Sequence, residues 1–164
     1  MAILILPVTV LTVVPGWILT AFAAHDTRWS PGSSMPLLFQ MFGMLLFLTG
    51  LAFFGWCVVL FARIGRGTLA PWDPTRRLVI VGPYRHVRNP MISGVAAMLG
   101  GEALLSGSLI IAGWLVLFLL INHIYFLVSE EPGLARRFGE SYEEYRSAVP
   151  RWIPSIKPWR GRRD

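Results

Sequence analysis

Charge is scarce in this sequence, and the scarcity is uneven. Only 15% of the 164 residues are Asp, Glu, Lys or Arg, where a soluble domain carries roughly a quarter. Residues 2–24, 36–62 and 109–128 contain none of the four. An apolar run of about 20 residues, rising about 1.5 Å each, crosses a hydrocarbon core of roughly 30 Å. The composition therefore excludes a soluble globular domain and predicts an integral membrane protein. Cysteine is nearly absent as well. Cys57 stands alone inside an apolar run, so no disulfide framework forms within the chain. No metal site is expected either, because His25, His86 and His123 lack the spacing that brings three or four ligands onto one ion. No Lys or Arg precedes Ala21-Phe22-Ala23. The run before it also exceeds a signal peptide's apolar region of about 7–15 residues, so a retained first membrane helix is expected.

What is present orders itself into a single all-α membrane domain with about four spans, at 2–24, 36–62, 90–105 and 109–128. The third is the shortest and carries Glu102 near its far end. Ser106-Gly107-Ser108 is a tight polar break, which makes spans three and four a helical hairpin. Ser93, Ala97 and Gly101 recur every four residues, a small-residue stripe suited to close helix packing in lipid. Loop 63–89 holds six arginines, and the tail 129–164 holds seven plus Lys157. With 14 of the 15 basic residues on one side, that side is cytoplasmic, both termini included. The basic excess sets topology and attracts anionic headgroups, so the bilayer is the expected partner and nucleic acid is not.

Two segments thus share one membrane face. In the tail, Glu131-Pro132-Gly133 reads as a helix start. Leu134, Phe138, Tyr142, Tyr145 and Val149 follow at helical spacing, one stripe ended by Pro150, which predicts an amphipathic interfacial helix. The pair Glu130/Glu131 stands where the fourth span ends. A helix C-terminus is partly negative, so two acids there are poorly placed unless they pair or bind something. If the span continues as helix, His123, seven residues before Glu130, lies on nearly the same face. Opposite, Gly82-Pro83-Tyr84 is a turn signal. Pro90 suits the first position of span three, whose free N–H groups, with Arg85 and Arg88 nearby, form an anion site. Carboxylates on one segment and an anion site on the other suit a zwitterionic ligand.

Those residues carry a resemblance. "GPYRHVRNPMISG", followed some forty residues later by "EEPGLARRFGESYEEYRSAVPRWIP", resembles the isoprenylcysteine carboxyl methyltransferase and phospholipid methyltransferase superfamily. Gly82, Pro83 and Tyr84 match its first block, and Arg88, Asn89, Pro90 and Gly94 its second. Its third is matched by Glu130, Glu131, Leu134, Phe138, Gly139, Tyr142, Tyr145, Val149, Pro150 and Arg151. The resemblance covers roughly residues 65–158. Ile92 departs from the usual Tyr, and His86 stands where an aromatic such as Tyr is frequent. Asn89 replaces the commoner His, as in many bacterial relatives, and a bacterial inner membrane is the expected location.

The resemblance implies an enzyme that moves a methyl group from S-adenosylmethionine to a lipophilic or lipid acceptor at the cytoplasmic surface. It implies a cofactor site from Tyr84, His86, Arg88, Asn89, Pro90, Gly94 and Glu130. The helix start near Asn89 and Pro90, with Arg88, would take the methionine carboxylate, and a glutamate the ammonium or ribose hydroxyls. Arg151 and Glu131 are the catalytic candidates. Arg151 would orient a carboxylate acceptor of the isoprenylcysteine type, the favoured class. For a phospholipid amine, the alternative, Glu131 or His123 would assist proton loss. A non-catalytic scaffold that kept the fold and a small transporter are the competing readings, and Glu102, at the opposite surface, has no expected role in catalysis.

Overall fold

Apolar runs with no charged side chain must satisfy their backbone internally once out of water, and helices do so within one segment. In a computed structural model of the chain, which describes residues 7–29, 34–64 and 78–161, these runs are helical. Helix α1 covers Thr9–Ala21, α2 Ser34–Ile64, α3 Pro90–Ser106, α4 Leu109–Phe138 and α5 Glu140–Ala148. The described residues contain no strand. Within them, Pro36–Ile64 and Leu109–Phe138 are long and apolar enough to cross a membrane, while α1 and α3 are apolar but shorter. Residues 2–6 of the first predicted span, and loop residues 65–77 with Arg66, Arg76 and Arg77, lie outside the described residues.

The outer surface fits membrane association. On α2, Leu37, Leu38, Met41, Leu45, Leu48 and Trp56 are all more than half exposed. A protein in water rarely leaves so continuous an apolar patch bare.

Helices α2 and α3 share the most extensive interface, and glycine sets its closeness. Gly43 faces Gly101 and Gly50 faces Gly94, two pairs each seven residues apart on antiparallel helices. A Cβ on Gly101 would sit 2.7 Å from the Gly43 carbonyl oxygen, and one on Gly50 2.8 Å from that of Gly94. Only backbones without side chains approach this far, which is how apolar helices gain contact where lipid offers no hydrophobic drive. The predicted small-residue stripe is partly realised. Ala97 and Gly101 meet α2, while Ser93 turns its hydroxyl to the Asn89 carbonyl and Gly94 takes its place in the contact.

Two wide turns interrupt the helical pitch. Thr9–Val13 and Phe126–Glu130 are π-helical, and each ends two residues before a proline, Pro15 and Pro132. Proline lacks the N–H that would bond four residues back, and its ring crowds that carbonyl. A turn with one extra residue relieves the crowding. The consequence in α4 corrects the sequence expectation. Glu131-Pro132-Gly133 is not a helix start, because the wide turn carries the helix through Pro132 to Phe138. No helix end therefore lies at Glu130.

The stop comes at Gly139, whose φ of 53° and ψ of −130° belong to a region open chiefly to glycine. The predicted single stripe is thus split between the end of α4 and α5. Its residues still converge: Tyr142, Tyr145 and Val149 are buried together, with Leu134 and Phe138 against them.

Between this cluster and the helix bundle runs an extended segment, Leu78–Val81. Leu78 and Ile80 pack on the tail cluster, while Val79 and Val81 pack on the bundle core. Alternation of period two puts successive side chains on opposite sides, so four residues tie two cores together. A one-turn 3-10 helix, Gly82–Arg85, then leads to α3. The segment after α5 folds back over it: Arg88 N donates to the Pro150 carbonyl (2.9 Å), Ser155 N to that of His86 (2.9 Å) and Trp159 N to that of Arg85 (2.9 Å).

Candidate functional site

At the start of α3, the strap from the tail and the wide turn of α4 bring charged residues from three segments together. Glu131 is the centre. It is 6% exposed, and three arginines reach it. Arg151 grips it with two bonds, Nε to Oε1 at 2.7 Å and Nη2 to Oε2 at 3.0 Å. Arg88 Nη1 donates to Oε1 at 2.9 Å, and Arg146 Nε stands 3.9 Å from Oε2. A bidentate guanidinium–carboxylate pair is among the strongest polar contacts a protein makes. The hydrogen bond that Arg151 donates to Glu131 accordingly raises the guanidinium's pKa. Burial, and then the Glu131 charge, raise the Tyr142 phenol. Tyr145 completes the frame by donating its hydroxyl to the Tyr84 carbonyl at 2.7 Å.

Beside this network lies a pocket of about 100 Å³. Tyr84, Arg88, Asn89, Glu130 and Glu131 line it, together with Leu78, Val79, Phe126, Leu134, Tyr142 and Tyr145. Two groups here lack partners. Arg88 Nε is buried without a hydrogen bond, and Glu130 has no hydrogen-bond or ion-pair partner among the described residues. The adjacent glutamates therefore differ in kind. Glu131 is saturated by arginine, whereas Glu130 presents an unpaired carboxylate to the pocket.

Other predicted residues fall elsewhere. His86 Nδ1 bonds to the Ser155 carbonyl oxygen at 2.7 Å and helps to anchor the strap. Pro90 is buried at the first position of α3. Gly94 stands against Gly50 and Phe54 of α2. None of the three lines the pocket, and Arg151 reaches it only through Glu131. His123 accepts a bond from Trp152 Nε1 at 3.1 Å. It does not share a face with Glu130 as straight α spacing predicts, because the wide turn lies between them. Glu102 is twelve residues further along α3 than Pro90, roughly 18 Å away. Sequence reasoning missed Leu78, Val79 and Phe126. The run Leu78-Val79-Ile80-Val81 carried a usable signal, a short β-branched stretch ended by a turn. Phe126 had none within a uniformly apolar helix.

This arrangement matches a known group of proteins. The sequence pattern of the family described as phospholipid methyltransferase matches residues 38–141, more than half of the chain and most of the pocket. The chain is also similar to a protein-S-isoprenylcysteine O-methyltransferase of Schizosaccharomyces pombe, 37% identical over 82 residues. That alignment takes in 48% of this chain and 34% of the relative, so the chain spans about a third of the relative's length. No solved structure matches the chain. With its family's pattern running from α2 through the wide turn and into α5, this chain belongs to the phospholipid methyltransferase family.

Proposed function

We propose that the protein is a membrane methyltransferase that moves a methyl group from S-adenosylmethionine to a lipophilic acceptor, favouring a carboxylate of the isoprenylcysteine type. The observation that carries the proposal is the pocket's unpaired Glu130 opposite Arg88 and the start of α3. This donor set fits the cofactor's amino-acid end, with a free carboxylate for the ammonium and a buried, unpartnered Arg88 Nε for the carboxylate. Asn89 and the N–H groups following Pro90 add to the latter. The cofactor supplies an activated methyl group on sulfur, so the protein needs only to align the acceptor and exclude water. At about 100 Å³ the pocket is smaller than a typical ligand site of roughly 300–1,000 Å³. Binding therefore has to widen it, and the extended segment with Leu78 and Val79, which line it, is the part that moves while the Glu131 network stays in place. Glu131 holds Arg88 and Arg151 in place, and the Nη1 edge of Arg151, which Glu131 does not use, is the group for an acceptor carboxylate that approaches from outside the pocket.

The family's pattern and the unpaired Glu130 carboxylate also favour a second reading, a phospholipid amine as acceptor. Calorimetry with S-adenosylmethionine tests the site. Losing a charge-assisted bond costs about 1.5–3 kcal/mol, so Glu130→Ala should weaken binding by about ten- to a hundredfold. Labelled cofactor incubated with lipid extracts then identifies the acceptor class. Wild-type protein that binds no cofactor in several lipids would refute the reading.

A further inference from the structure

The tail strap, residues 149–161, is fastened to the bundle at four points. Arg151 clasps Glu131. Trp152 donates its indole N–H to His123 Nδ1 at 3.1 Å, with its ring 5.7 Å from that of Phe126. Ser155 N bonds to the His86 carbonyl and Trp159 N to that of Arg85, and Arg85 Nε returns a bond to the Trp159 carbonyl at 2.6 Å. Pro154 and Pro158 fix φ between these points and stiffen the strap.

Between the fastenings two isoleucines stand bare. Ile153 is 80% exposed and Ile156 97%, the barest large apolar residues among those described. Single apolar residues at a surface are ordinary, but this pair is held outward by a segment fastened on both sides. Lys157 and Arg160 are exposed beside them. Neither forms an ion pair among the described residues, and the strap contains no Asp or Glu.

Trp152 fixes the level of this surface on the bundle. Its partner His123 lies five residues, or roughly 8 Å, inside the cytoplasmic end of the uncharged run 109–128. Around it Leu120, Ile121, Ile124 and Leu127 are each about half exposed. The strap therefore reaches from the charged end of α4 onto its apolar outer surface, then returns at Ser155 to His86. Interfacial segments seat their apolar side at a similar depth, about 5–10 Å, and tryptophan is enriched at that level.

We propose that the strap is a docking surface for anionic bilayer lipid, with Ile153 and Ile156 entering the acyl boundary while Lys157 and Arg160 meet phosphate headgroups. Apolar insertion and cationic attraction act together in such contacts. Arg151 directly precedes Trp152, so a seated strap also steadies the Arg151–Glu131 clasp. Lipid charge at the membrane surface thereby bears on the frame of the polar pocket. Seating needs neither cofactor nor acceptor, and it stands whether or not the protein transfers methyl groups.

The test uses the purified full chain in nanodiscs of phosphatidylcholine, alone or mixed with phosphatidylglycerol. Spin labels are placed through Ile153→Cys or Ile156→Cys; the native Cys57 is buried. In the mixed bilayer both labels should collide more with oxygen, which concentrates among acyl chains, than with a water-soluble nickel chelate. In wild type the amides of Arg88, Ser155 and Trp159 should exchange about tenfold more slowly there than in phosphatidylcholine alone, roughly 1.4 kcal/mol. Lys157→Gln/Arg160→Gln should abolish that difference, and Ile153→Ser/Ile156→Ser should speed exchange in both bilayers. None of these four side chains fastens the strap, so helicity should match wild type in both variants. Labels that stay in water in both bilayers, or exchange that is the same in both, would overturn the proposal. Equal slowing by inorganic phosphate added to phosphatidylcholine nanodiscs, or disulfides joining two copies of Ile156→Cys, would also overturn it, in favour of a free anion or a second copy of the chain.

Discussion

Replacing Glu131 with alanine should release the tail from the helix bundle. The carboxylate is 8% exposed at its side chain, and Arg88 and Arg151 are 11% and 18% exposed, so little solvent is present to replace it. Removing one partner of a buried ion pair costs about 3–5 kcal/mol, because the charges left behind are uncompensated. Arg151 and the half-exposed Arg146 can turn towards water, which brings the expectation to the lower end, about 3 kcal/mol. The assay is hydrogen exchange at the amides that fasten the strap, those of Arg88, Ser155 and Trp159. Their opening free energy should fall by this amount, equivalent to a rise in exchange rate of about a hundredfold. Glu130→Ala should leave the same amides unchanged, since Glu130 has no partner to lose. In the double variant Glu131→Ala/Arg151→Leu the costs should fall short of additivity by about 0.5–3 kcal/mol. Strap protection equal to wild type in Glu131→Ala would refute the assignment of Glu131 as the hub, and equal losses in the two single variants would refute the distinction between them.

Three further outcomes follow from the packing. Gly101→Ala places a methyl group 2.7 Å from the Gly43 carbonyl oxygen and should cost about 1–3 kcal/mol in unfolding from detergent; Gly113→Ala, which meets open space, should not destabilise. Tyr145→Phe strands the Tyr84 carbonyl in a buried frame and should cost about 1–3 kcal/mol, read by thermal unfolding and by exchange of the Tyr84 amide. S-adenosylmethionine should raise exchange at Leu78 and Val79 while leaving Arg88 protected, as hydrogen-exchange mass spectrometry would report.

The bundle was legible because lipid imposes a simple rule: long uncharged runs become helices. The shared face of the two charged segments was legible for the same reason, since arginine placement records topology. Local departures from regular pitch were not. The passage of α4 through Pro132 depends on the wide turn that precedes it, and "FLVSE" gives no sign that it will adopt one. Spacing arguments that assumed a straight helix therefore paired His123 with Glu130. Motif matching alone also could not separate roles within the matched block. Gly94 and Glu130 stand in the same resemblance, yet one packs helices and the other faces the pocket. That difference is tertiary, set by which neighbour α2 or α4 presents.

The wide turn in α4 also separates two quantities that a plain helix ties together, its length across the bilayer and the direction its far end faces. Each residue of an α-helix advances the face by about 100°, so one residue accommodated in a broader turn re-aims everything beyond it without lengthening the apolar stretch by a whole turn. Glu131 meets Arg88 and Arg151 only at that setting. Deleting a single residue between Phe126 and Ser129 would let the turn close to regular pitch with the acidic pair still facing Arg88 and Arg151, whereas inserting one more would turn that pair away by about 100°. For this chain, the phase of α4 is as much a part of the site as any side chain in it.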